Sequence, residues 1–178
     1  MKNVIKCVIA IVSIFLIAGC GSDNKNKDKE LVANLSNEIV LSEEGASAVC
    51  KVDTDMSSNN SYVIGAKFVI YADKNEIVTK MISIQLAESN DIDLLKAVMN
   101  KTEEDHDLAK EFGGYEYEMN LDGNRLYTKV TIDFTELDME KMVEADSSLL
   151  TFLNDDYKYT LKEYMRMYEA VGVECTKK

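Results

Sequence analysis

The chain has 178 residues, with 20 Lys and Arg against 32 Asp and Glu and a formal net charge of −12 at pH 7. A surface this acidic repels nucleic acid and anionic polymers, and no local basic patch offsets it, so nucleic acid is not expected as a partner. Proline and tryptophan are both absent, so turns must be read from Gly, Asn and Asp and an indole platform for sugars is missing.

The chain opens with Lys2 and Lys6, continues through the apolar run Cys7 to Ala18, and reaches Leu16-Ile17-Ala18-Gly19-Cys20, the layout of a bacterial lipobox. The small residues Ala18 and Gly19 let a peptidase approach the backbone, and the Cys20 thiol is placed to accept a diacylglyceryl group. An apolar run of about a dozen residues is too short to cross a hydrocarbon core, which needs roughly 20. A removed signal is therefore expected over residues 1–19. An ordinary secretory signal would end in a pattern like Ala-x-Ala, which is absent. The expectation is a mature chain held by lipid on Cys20 at the extracytoplasmic face of the cell membrane. Losing Lys2, Lys6 and no acid leaves 18 basic against 32 acidic side chains, a formal charge of −14. Cys7 departs with the signal, so Cys50 and Cys175 remain. In an exported chain they point to a disulfide more than to a metal site, which would need further spaced ligands. Closing so long a loop removes roughly 5 kcal/mol of unfolded-state entropy on the chain-entropy model. Two buried free cysteines are the alternative.

From Cys20 to Gly45 the chain is polar and charged, with scattered Leu31, Val32, Leu35, Ile39 and Val40. It reads as a flexible tether that would hold the domain about 25–30 Å from the membrane; a partly helical stalk is the alternative. Residues 46–178 are a normal size for one domain and show no internal repeat. Ala46 to Asp55 reads as a strand, the polar cluster Asp55 to Asn60 as a turn, and Tyr62 to Ala72 as a second strand. After Asp73-Lys74-Asn75, residues Glu76 to Ala87 form a third, where Met81, Ser83 and Gln85 alternate with Ile82, Ile84 and Leu86. That alternation suggests one face in the core and one in water. Asn90 or Asp91 caps a helix from Ile92 to Phe112 that Gly113-Gly114 ends. Tyr115 to Leu121 and Arg125 to Phe134 follow as period-two strands around Asp122-Gly123-Asn124, a hairpin turn. Leu137 to Ala145 is a short helix, Asp146 to Tyr159 is irregular, and Thr160 caps a last helix carrying Leu161, Tyr164, Met165, Tyr168 and Val171 before Gly172. Val173-Glu174-Cys175 then turns back toward the first strand. The order βββαββαα implies an α+β domain: an antiparallel sheet of about five strands with helices on one side.

The lipobox, the Cys50 strand, the hairpin from Phe68 to Ile84, Val130-Thr131-Ile132-Asp133-Phe134 and the ending Met167 to Lys178 together resemble the YehR-like family of small bacterial lipoproteins. The resemblance covers nearly the whole chain. It implies a compact α+β domain of unknown biochemical role at the cell envelope, with a lipidated cysteine at Cys20 and paired cysteines at Cys50 and Cys175. It hands over no active-site residue.

Candidate chemistry is sparse. His106, the single histidine, could share a helical face with Glu103 and Asp107 and hold a divalent cation, but one turn gives at most three ligands and a solvated charged face is the simpler reading. Asp53-x-Asp55-x-Ser57 starts like a calcium loop and then fails, with Ser58 where glycine and Ile64 where glutamate belong. Asn154, Asp155 and Asp156 read as a turn before a weak calcium site. No nucleophile elbow accompanies the histidine, which disfavours that class of hydrolase. The tyrosines Tyr115, Tyr117, Tyr127, Tyr157, Tyr159, Tyr164 and Tyr168 could line a groove for peptide, glycan or small ligand, though core packing explains most. No metal, cofactor or catalytic residue is expected. The reading is a non-enzymatic binding or interaction module whose partners are the membrane, through Cys20, and an envelope protein, peptide or glycan; the alternative is an envelope enzyme or accessory using carboxylates.

Overall fold

The structure, a computed structural model, describes residues 35–54 and 62–178. The signal, Cys20 with the first part of the tether, and the turn at 55–61 that includes most of the rejected calcium loop lie outside the described residues.

Six strands form one sheet: β1 (Ala48–Thr54), β2 (Tyr62–Ala72), β3 (Val78–Ser89), β4 (Tyr115–Asp122), β5 (Arg125–Asp133) and β6 (Glu174–Lys177), in the order β4-β5-β3-β2-β1-β6. Every pair is antiparallel. The sixth strand is the tail that turns back after the last helix; its four residues pair with β1 and raise the strand number above the expected five. Helix α1 (Ile92–Lys110), α2 (Met139–Ala145), a 3-10 turn (Ser147–Thr151) and α3 (Leu161–Glu169) complete the described elements. Their starts follow local chemistry: Asp91, Asp138 and Thr160 each accept a backbone N–H from the first turn that follows, as N-caps do. The fold is α+β, with these helices on one face of an open antiparallel sheet. No helix among the described residues is long and apolar enough to cross a membrane.

Register decides which side chains meet the helices, because directly opposed residues in an antiparallel pair share a face. Phe68 opposes Ser83, Ala66 opposes Gln85, and Val130 opposes Ser83 from the other side. Phe68, Ala66 and Val130 belong to the main apolar core with Tyr164 and Tyr168 of α3 and Met142 of α2. A second cluster, Tyr62, Ile64, Ala87 and Leu126, packs under Leu95 of α1. Between the two, the buried polar residues Ser83, Gln85 and Thr128 cross the covered face. The apolar half of the third strand therefore points the other way: Ile82 opposes Val69 and Ile84 opposes Lys67 on the outer face.

That outer face is not left to water. Residues 35–38 form a helical turn, and Leu35 and Ile39 are buried, four apart as one side of a helical turn requires. Ser36 donates from Oγ to Val52 O. Lys67, itself buried, reaches Glu43 at 2.7 Å and Leu41 O at 3.3 Å. Glu43 also holds Lys178 at 2.8 Å, and Arg125 bridges Glu38 at 2.7 Å and Glu88 at 3.0 Å. The hydrogen bond from Lys178, then that from Lys67, pull the Glu43 carboxyl down to about 2. Residues 35–43, expected as part of a flexible tether, are instead a strap fastened to the sheet; the part of the expected tether before Leu35 lies outside the described residues.

The strap fits because β2 carries glycine beneath it. A Cβ on Gly65 would lie 2.6 Å from Ser36 N and 2.7 Å from Leu35 Cβ. Gly65→Val is expected to lift the strap at a cost of about 1–3 kcal/mol, seen as faster amide exchange over residues 35–43 with little change in β2 and β3. Unchanged exchange in the strap would show that it is held without this close approach.

Candidate functional site

At the end of the sheet where β2 turns into β3 and β5 runs out, three loop segments enclose a groove of about 510 Å³. One wall is Asp73 with Ile77, Val78 and Thr79; the second is Phe134 with Leu137, Asp138, Met139 and Glu140; the third is Asp156 to Tyr159. The volume lies in the ordinary range for ligand sites.

The floor is aromatic and continuous with the core. Phe134 meets Tyr159 edge-on at 5.6 Å between centroids and Tyr164 at 5.4 Å. Tyr164 in turn meets Tyr168 at 5.3 Å, and Tyr168 lies 4.7 Å from Phe68. Rings interlocked in this way hold the floor rigid. Burial raises the Tyr159 hydroxyl well above its ordinary value, so it stays protonated.

The rim is acidic, and its carboxylates fall into two kinds. Asp73 accepts backbone N–H groups from Asn75 and Ile77 at 2.9 Å each, and the bond from Ile77 leads the causes that hold its carboxyl below the usual range. Asp138 accepts from Lys141 N at 3.0 Å and starts α2. These two shape the backbone. Glu140 and Asp156 are exposed, and their side chains have no hydrogen-bond or ion-pair partner among the described residues. They are free to meet a ligand. Lys158 is the one basic residue of the lining.

The third wall is held in an unusual conformation. Tyr157 has φ +56°, and it and Glu76, at φ +61° on the opposite loop, are the non-glycine residues with left-handed backbone among those described. For a bulky residue this costs about 1–3 kcal/mol. Surrounding bonds over-determine it: Tyr157 N donates to Asn154 O at 3.0 Å, Asn154 N to Lys158 O at 2.9 Å, and Asn154 Oδ1 accepts from Asp156 N and Lys158 N. The Asn154-Asp155-Asp156 stretch is therefore a turn in which the Asn154 side-chain oxygen already accepts two backbone N–H groups. The Tyr157 ring, 40% exposed, lines the groove beside the buried Tyr159 and half-buried Phe134. Tyr157→Gly loses the ring's contacts, as Tyr157→Ala does, but relieves the strain that the alanine keeps, so it is expected to be more stable than Tyr157→Ala by about 0.5–1 kcal/mol in urea denaturation. Equal effects of the two would mean that the loop is unstrained.

The other sequence candidates fall elsewhere. His106 faces inward and is 1% exposed, against the solvated face expected for it. Its Nδ1 lies 2.6 Å from the Tyr115 hydroxyl and its ring stacks on Tyr117 at 4.6 Å. Burial lowers His106 to about 4 and raises Tyr115 far above its ordinary range, so a neutral imidazole and a protonated phenol share this bond. Glu103 is exposed, and Asp107 instead accepts the Tyr117 hydroxyl at 2.8 Å. Among the described residues no group of three or more His, Cys, Asp or Glu side chains gathers as a metal site. Tyr115, Tyr164 and Tyr168 are core residues, whereas Tyr157 and Tyr159 belong to the groove. Cys50 and Cys175 oppose each other in the β1–β6 pair, with Cα atoms 4.0 Å apart and the sulfurs bonded at 2.03 Å. Residues 134–140 carried no signal of a site; only the fold brings them against residues 73–79 and 156–159.

No protein-family model and no curated protein matches the chain. Among solved structures it is similar to the NMR structure of Escherichia coli YehR, at 20% identity and a TM-score of 0.50, covering 77% of this chain and 94% of that one. It is also similar to the NMR structure of a protein from Streptococcus pneumoniae TIGR4, at 15% identity and a TM-score of 0.42, covering 89% of this chain and 100% of that one. The first likeness is one of fold.

Proposed function

We propose that this chain of YehR-like fold is a lipid-anchored binding module, held by Cys20 at the extracytoplasmic face of the cell membrane, and that the groove at the sheet's end receives its partner. The observation that carries the reading is the groove itself: a rigid aromatic floor, a strained and partly exposed Tyr157, and two carboxylates with no structural task. An envelope protein, peptide or glycan fits such a surface. The alternative, an enzyme using a carboxylate pair, is poorly served here, because Asp73 and Asp138 are engaged by backbone N–H groups of the turn and helix they hold.

Two measurements test the reading separately. Labelled fatty acid fed to cells should enter the wild type and not Cys20→Ser; equal labelling would remove the anchor. A photo-crosslinking residue at Tyr157 should capture a reproducible partner in living cells, and one at Glu118 on β4 should not. No capture from Tyr157, together with substrate turnover by the purified protein, would replace the binding reading with the enzymatic one.

A further inference from the structure

We infer that the occupant of this groove is a cationic peptide segment, bearing lysine or arginine, presented by a partner protein. The inference rests on the groove being the binding site and adds the chemistry of what it binds.

Charge complementarity is the first support. The lining holds Asp73, Asp138, Glu140 and Asp156 against Lys158 alone, a local excess of three negative charges. Two of the carboxylates, Glu140 and Asp156, have no internal cation, unlike Glu38, Glu43 and Glu88, which are engaged by Arg125, Lys67 and Lys178. An ammonium or guanidinium group lying against the face of Tyr157, which also lines the groove, would gain a cation–π attraction that a neutral group lacks. An anionic glycan or phosphate would meet repulsion at the same points.

Shape is the second support, and it favours a protein segment over an amine-bearing lipid headgroup. The groove's three walls come from separate loops, residues 73–79, 134–140 and 156–159, a spread suited to an extended chain more than to a single charged group.

The test uses the full lipidated chain in detergent micelles and a fluorescein-labelled peptide of alternating lysine and glycine, with its glutamate counterpart and spermine as comparison probes. Glu140→Gln combined with Asp156→Asn spares the carboxylates that hold the turn and the helix. It should weaken the lysine peptide about two- to thirty-fold at physiological salt, as expected for two exposed pairs. Glu103→Gln combined with Glu104→Gln removes the same charge from α1 and should weaken it less than twofold. Equal weakening by both pairs would mean general attraction to an acidic protein and would overturn the inference. So would displacement by spermine at the peptide's own concentration, or tight binding of the glutamate peptide that Tyr157→Ala abolishes; the latter would leave the groove as the site with a different ligand.

Discussion

Replacing Cys50 and Cys175 together by alanine is expected to lower the folding free energy by about 3–5 kcal/mol. The two residues are 125 apart in sequence, and cross-linking so long a loop removes more unfolded-state freedom than a short one. The native side of the balance points the same way. β6 has four residues, pairs only with residues 48–51 of β1, and forms an edge of the sheet. Few hydrogen bonds hold it without the covalent link. Its loss spreads to the strap, because Lys178 N donates to Ser47 O at 2.9 Å and its ammonium holds Glu43. Urea denaturation of the exported protein should show the full loss in the double variant and an equal loss in the wild type after reduction. Reductant should not move the variant. If two thiols alkylate in the untreated wild type, the clasp does not form in the cell and the argument fails.

Acidification is expected to cost up to about 3 kcal/mol between pH 6.5 and pH 4 through His106 alone. Its folded pKa is lowered to about 4, first by burial, from an ordinary value of 6.5. In that window the unfolded chain takes up a proton that the folded chain refuses, so stability is full above pH 6.5 and falls as pH drops toward 4. Below 4 both states are charged and the loss levels off. Glu43 acts in a separate window: its pKa, lowered from 4.5 to about 2, means that its stabilising charge is lost only as pH falls from 4.5 toward 2. His106→Phe keeps a ring against Tyr117 and leaves the Tyr115 hydroxyl without its partner. It should be less stable at neutral pH by about 1–3 kcal/mol, yet nearly flat from pH 6.5 to 4. A denaturation midpoint of the wild type that does not move over that range would show that His106 protonates without unfolding.

Local chemistry read well wherever one stretch of chain settles the matter by itself. The β4–β5 hairpin follows from Gly123-Asn124 between two period-two runs, and Asp91 and Thr160 mark helix starts through bonds to their own next turn. Gly113 and Gly114 turn the chain from α1 into β4 at φ +75° and +59°, and a Cβ on Gly114 would overlap Asp133 O, so this turn requires glycine. The third strand was harder. Its alternation was visible, but the side carrying Ser83 and Gln85 faces the helices, which runs against polarity and is fixed by pairing with Phe68 and Ala66. The same applies to Leu35 and Ile39, whose burial depends on a groove over Gly65 that no local pattern announces.

By itself the sequence determined the α+β class, the element order, the caps and turns, and the lone cysteine pair left after Cys20. These depend on neighbours within a few residues or on simple counting. Only the tertiary structure decided that β6 joins the sheet beside β1, that residues from 35 onward strap its outer face, that His106 is buried and neutral, and that residues 73–79, 134–140 and 156–159 enclose one groove. Each of these depends on contacts between residues far apart in the chain, where side-chain periodicity carries no information about which distant face will be met.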